Sequence, residues 1–171
     1  MKWQSRKSNS LIITLLFCVI FQVGCRVDSD YKLIPSLNIS RKDINSDVTI
    51  YAPFGWNSNL IGEPVSIMVE NNGKDPIVFS NDYGIEVFLQ EENNWQELDL
   101  VKTKYIEGDV YLRSAENNPL YFGSTMVDPI LEDQSHQVKI RIVIIGHRYI
   151  NEKITDQLVA AYTDIWLFPK E

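Results

Sequence analysis

The chain has 171 residues, 44% of them apolar and 11% aromatic, with a formal charge of −7. That is enough apolar side chain for one core, and the acidic balance disfavours a surface built to neutralise phosphates or to be drawn to anionic lipid. Cysteine occurs only at positions 18 and 25, so a framework of several disulfides is excluded.

Met1–Ser10 carries Lys2, Arg6 and Lys7 and no acid, and Leu11–Phe21 is apolar at every position except Thr14. Gly24-Cys25 follows. A basic segment, an apolar segment and a small residue at the cut site are the parts of a secretory signal. The apolar run of 11 residues is shorter than the about 20 that span a bilayer. A cysteine directly after that glycine resembles the lipobox of bacterial lipoproteins, although Gln22 stands where that motif carries an aliphatic residue. The resemblance implies cleavage after residue 24, acylation of Cys25, and an exported domain held on the extracytoplasmic side of a membrane. An uncleaved anchor and a cleaved, unlipidated signal remain open as alternatives. Without residues 1–24 the chain has 13 Lys+Arg against 23 Asp+Glu, a charge of −10. A lipidated Cys25 would leave no free thiol, which removes thiol catalysis and cysteine-ligated zinc.

Residues 25–46 are polar, with brief apolar interruptions at Leu33-Ile34 and Leu37, and read as a tether. From Asp47 to the end the chain reads as strands. Val48, Ile50 and Ala52 alternate with polar positions, and Pro53 ends the run. Val65, Ile67 and Val69 share one face of the next strand. Asn71-Asn72-Gly73-Lys74-Asp75-Pro76 is a dense turn signal. Ile77–Phe79 is a short strand, and Tyr83–Gln90 alternates with Ile85, Val87 and Leu89 on one side. Glu91–Asn94 predicts a hairpin loop into Trp95–Leu98. Val101–Ile106, Val110–Leu112 and Leu120–Val127 are weaker strand candidates. Val138–Ile145 is the clearest strand, with Val138, Ile140, Ile142 and Ile144 inward and Lys139 and Arg141 outward. Gly146-His147-Arg148 reads as the turn out of it. Ile154–Ala160 hints at a short helix, and Ala161–Phe168 reads as the last strand. Strands at this spacing predict an all-β sandwich of about seven to nine strands over residues 47–171.

The run Pro64–Ile77, a strand, an Asn-rich turn, a proline and another strand, resembles the opening of bacterial immunoglobulin-like domains. Tyr83–Phe88 leading to Asn94-Trp95, Val138–Ile142 and Ala161–Ile165 continue the likeness, which covers roughly residues 60–168. It implies a binding or structural module and supplies no catalytic residues.

The chemistry-bearing residues point the same way. Asp43, Asn45 and Asp47 have the spacing that opens a calcium loop, but Val48 and Phe54 stand where the glycine and the bidentate glutamate belong. His136 and His147 flank the Val138 strand at opposite ends, too far apart to share a metal or a catalytic centre. Glu91-Glu92 falls at a solvated hairpin tip, where nothing raises a carboxyl pKa. No catalytic residue, metal or cofactor is expected. Trp166, on a strand with Tyr162, reads as packing. Tyr51, Phe54 and Trp56 lie around a Pro/Gly loop at a sandwich end, a usual position for a binding surface. The expected function is a non-enzymatic, lipid-anchored envelope protein presenting a sandwich to a protein or envelope partner. A small-ligand or glycan binder, or an inhibitor or accessory subunit of an exported hydrolase, is the alternative.

Overall fold

The computed structural model describes residues 44–53, 55, 57–92, 94–100, 109–114, 116 and 122–171. Cys25, Phe54, Trp56 and the strand expected at Val101–Ile106 lie outside these. Nine strands are described: β1 Val48–Tyr51, β2 Val65–Asn71, β3 Ile77–Phe79, β4 Glu86–Glu91, β5 Asn94–Leu98, β6 Val110–Leu112, β7 Phe122–Val127, β8 Val138–Ile150 and β9 Lys153–Leu167. They form two antiparallel sheets, one ordered β1-β2-β7 and one ordered β5-β4-β8-β3-β6 with β9 paired to β8. The chain is an all-β sandwich, as its strand pattern predicts.

The larger sheet is simpler than its strand count. β9 runs along one edge of β8 from Val138 to Ile150. Both β3 and β4 therefore lie on the other edge, β3 against Gly146–Arg148 and β4 against Ile140–Val143. They are one lane broken in the middle, and β5 and β6 form the lane beyond it. Four lanes thus face three, and the path crosses between sheets after β2, β6 and β7, as in Greek-key sandwiches.

The alternation explains the core. Ile67, Val69, Ile77, Phe79, Ile140, Ile142 and Ile144 are fully buried and belong to one cluster spanning both sheets. Asn71, also fully buried, is satisfied by donating to the carbonyls of Asp75 and Leu112 and accepting from the Gly73 N–H. The Asn-rich turn is thereby tied to β6. Arg148 closes that end of the sandwich by pairing with Asp47 and Asp75.

Three local expectations are corrected. Tyr83–Gly84 does not open β4. Ser80–Ile85 stands opposite only Ile144 and Ile145 and leaves the lane as a 3-10 turn at Asn81–Gly84. Tyr83 has a left-handed φ of 61° and Gly84 one of 57°; for a bulky residue such as Tyr83 this is strained. Its ring, 4% exposed, crosses the core to lie against Gly123 of β7. Burial pushes the Tyr83 phenol above its usual pKa. Second, Gly146–Arg148 is not a turn. β8 continues to Ile150, and Gly146 is the place where Ile77 and Phe79 pack over the backbone. Third, Ile154–Ala160 is strand. The hairpin turns at Asn151-Glu152, whose φ values of 52° and 60° are those of a type I′ turn. His147 consequently sits within β8, with Nδ1 2.9 Å from the Thr155 carbonyl, and not in a loop.

β9 is also held on its outer edge. The Asn45 N–H donates to the Ala160 carbonyl, and the Asn45 side-chain oxygen accepts from the Tyr162 N–H. Phe168 donates to the Asn59 carbonyl and accepts from the Ile61 N–H.

Candidate functional site

The outer face of an antiparallel sheet is ordinarily polar. Here the outside of the four-lane sheet buries Val78, Phe88, Val143 and Ala160, none of them part of the core cluster, together with Arg141 at 3% exposed. The register puts Glu97, Phe88, Arg141 and Asp164 in one row across β5, β4, β8 and β9. On one side of that row lie two further pairs, Gln90 opposite Trp95 and Lys139 opposite Trp166. On the other side, Glu86, Val143 and Tyr162 form the next row.

Arg141 is the centre of this surface. Its guanidinium lies 4.1 Å from the Trp95 ring centre and 4.3 Å from that of Tyr162. Nε donates to Asp164 Oδ1 at 2.7 Å and Nη2 to Oδ2 at 3.0 Å, a bidentate pair. Lys139 Nζ reaches the same carboxylate at 2.8 Å and stands 5.7 Å from the Trp95 ring centre. Sequence alternation puts Lys139 and Arg141 outward, which is correct for the face; Arg141 is nonetheless buried, because aromatic rings from β5 and β9 close over it. Trp166 is 48% exposed and Phe168, two residues on, 43%. Trp166 is therefore about half open to solvent, more than a packing role on its strand suggests. The arrangement sets an exposed indole beside a second one fixed against a buried ion pair, which suits recognition by stacking.

The electrostatics follow from the pairing. Burial alone would raise the Asp164 carboxyl, but the hydrogen bonds from Arg141 and Lys139 outweigh it and hold the group below the ordinary carboxylate value. Across the same face, burial first and the nearby Glu97 second push the Glu86 carboxyl up. A carboxyl depressed by folding stabilises above its unfolded pKa, about 3.9 for aspartate, and loses that contribution as pH falls through the folded value. Asp164→Asn is expected to cost about 3 kcal/mol at pH 7, since Arg141 would keep its burial and lose its counter-charge. Its loss of stability below about pH 4 should also be shallower than in the wild type. Urea midpoints between pH 2.5 and 7 check this; parallel acid limbs in the two proteins would refute the role of Asp164.

Of the binding residues expected from the sequence, Tyr51 alone is described. It ends β1 on the outside of the three-lane sheet, 37% exposed, with its hydroxyl donating to Glu70 Oε1 at 2.8 Å. It thus belongs to the opposite side of the sandwich from Trp166. Asn45 and Asp47, from the incomplete calcium motif, are engaged with β9 and with Arg148.

Asp133, Ser135 and His136 carry the residue types of a hydrolytic triad without its geometry. The Ser135 hydroxyl donates to Asp133 Oδ1 at 2.6 Å and lies 2.7 Å from His136 Nδ1. Asp133 Oδ2 lies 3.2 Å from that same ring nitrogen. A triad needs serine and carboxylate on opposite nitrogens. The His136 and Asp133 side chains are also 80% and 67% exposed. Hydrogen bonds from the Ser135 hydroxyl, then its backbone N–H, then His136 lower the Asp133 carboxyl to about 2, the mark of a tight loop turn. Among the described residues no group of three or more His, Cys, Asp or Glu is placed to hold a metal, and no helix is long and apolar enough to cross a membrane.

The alternation of Lys139 and Arg141 on β8 and of Tyr162, Asp164 and Trp166 on β9 is legible in the sequence and puts each set on one face. The pairing of Arg141 with Asp164 is not, because the turn read at Gly146–Arg148 hides the hairpin and the register depends on the irregularity between His147 and Tyr149. No family model matches the chain, and neither a curated protein nor a solved structure matches it.

Proposed function

We propose that this chain is an exported, lipid-anchored protein with no catalytic role, which presents the outer face of its four-lane sheet to a partner in the cell envelope. The observation that carries the recognition role is the exposed Trp166 beside Trp95, with Arg141 clasped between Trp95 and Tyr162 and paired to Asp164. A surface fixed in this way gives up little side-chain entropy on binding. The anchoring role is supported by the order of Lys2, Arg6 and Lys7, the apolar run to Phe21 and Gly24-Cys25. The acidic mature chain would not adhere to anionic lipid by charge, so an acyl group on Cys25 would hold it there.

The intact mass of the protein from its host's membrane fraction tests the anchor. Cys25–Glu171 plus a diacylglycerol and a further acyl chain is the expected species. Cys25→Ser should move the protein out of the membrane fraction, because a single lost anchor leaves only weak contacts. Retention of Cys25→Ser in that fraction, or a wild-type mass matching unmodified chain, would overturn it.

A further inference from the structure

We infer that the outer face of the four-lane sheet binds a neutral glycan, laid across β5, β4, β8 and β9 over the pairs Trp95–Gln90 and Lys139–Trp166. The inference rests on that face being the recognition surface and adds the chemical class of its ligand.

Three observations carry it. The first is placement. The Trp95 ring reaches across β4 to stand 5.7 Å from Lys139 Nζ, and Lys139 lies directly opposite Trp166, so both indoles lie close to one ammonium group. Two indoles on one sheet face suit a ligand built of more than one ring. The second is the chemistry of the side chains around them. The apolar C–H face of a pyranose ring stacks on an aromatic face, which Trp166 offers at 48% exposed and Phe168 extends at 43%. The ring's equatorial hydroxyls need donors and acceptors between the stacking points. The exposed Gln90 amide and the Lys139 ammonium, 25% exposed, occupy that stretch.

The third is charge. Lys139 and Arg141 are both held by Asp164, and Glu86 and Glu97 share the face. The surface therefore carries two cations against three carboxylates, on a mature chain of −10. An anionic polymer or a second copy of the chain would be repelled. A neutral, hydroxyl-rich ligand meets neither this repulsion nor the cost of stripping water from a charge.

The test uses the full chain in mild detergent and four neutral probes: cellotetraose, chitotetraose, xylotetraose and mannotetraose. Tetragalacturonate serves as the anionic comparison. Tryptophan fluorescence and calorimetry read binding. At least one neutral tetramer should bind, tetragalacturonate should not, and Trp166→Ala should weaken the neutral ligand about tenfold or more. Met126→Ala, on the exposed face of the other sheet, should leave affinity unchanged. Trp166 is exposed, so a preserved melting curve should accompany its loss of binding. Failure of all four neutral probes with folded wild-type protein would overturn the inference, as would undiminished binding by Trp166→Ala. A photo-crosslinker at position 166 that captures an envelope protein, with no glycan bound, would also overturn it while leaving the face a recognition surface. Failure of the anchoring proposal registers separately, in the mass and fractionation of Cys25 variants.

Discussion

Ile142→Asp is expected to leave the chain without a cooperative unfolding transition at 25 °C. Ile142 is fully buried on the inner face of β8, between Val87 of β4 and Thr163 of β9. Its neighbours in the cluster are aliphatic and aromatic side chains from both sheets. An aspartate there either carries an unpaired charge into the core or takes up a proton, and each route costs several kcal/mol. The isoleucine's own packing is lost as well, about 2–5 kcal/mol for a large-to-small change. Against a total stability of about 5–15 kcal/mol, the sum removes most or all of it. Far-ultraviolet circular dichroism through a thermal scan checks the outcome, with Ile142→Val as the control at about 1 kcal/mol. A wild-type melting curve for Ile142→Asp would mean that the inner face of β8 has been assigned wrongly.

Gly123→Ala should be the most damaging single-methyl change. A Cβ at position 123 would fall within the Tyr83 hydroxyl and 2.8 Å from its Cζ. Tyr83 cannot simply turn aside, because it is 4% exposed and its backbone sits at φ 61° inside the 3-10 turn. Either the ring leaves the core or β7 moves away from it. Overpacking of this kind costs about 1–3 kcal/mol, and the displaced turn puts the loss at the upper end. The pairwise origin is measurable. In a Tyr83→Leu background the same Gly123→Ala change should cost much less, giving a coupling of about 1–2 kcal/mol in a double-mutant cycle. Equal costs in the two backgrounds, read from urea midpoints, would show that Gly123 answers to something other than Tyr83.

What could be read in the sequence was what depends on neighbours two residues apart. Val65, Ile67 and Val69, and Ile140, Ile142 and Ile144, alternate cleanly because one side of each strand faces the core. The turn after Asn71 and the hairpin after Glu91 were legible through residues that favour tight turns. What escaped depends on distant partners. Gly146 looks like punctuation until Ile77 and Phe79 are seen to need its missing side chain. Tyr83 continues an alternating pattern, and only its left-handed backbone takes it out of the strand. The outer-face site is the plainest case. Between Tyr149↔Ile154 and His147↔Leu158, three residues of β9 stand against one of β8. That bulge, in a stretch that reads as helical, shifts the ladder by two residues and sets Asp164 opposite Arg141, where Tyr162 would otherwise stand. The binding residues expected from the sequence lie by a Pro/Gly loop, a sound rule for sandwich ends, whereas Trp95, Tyr162 and Trp166 lie on a sheet.

β9 is 15 residues long and would ordinarily be a template for another chain to extend the sheet. Asn45 occupies it at Ala160 and Tyr162, and the Asn59–Ile61 stretch pairs with Phe168, just past its end. An incoming strand must first evict the molecule's own backbone from both places. Propagation into a fibril is thus opposed by two small plugs. Shortening the chain past Asn45 would remove one of them and leave that border of β9 open to pairing with another chain.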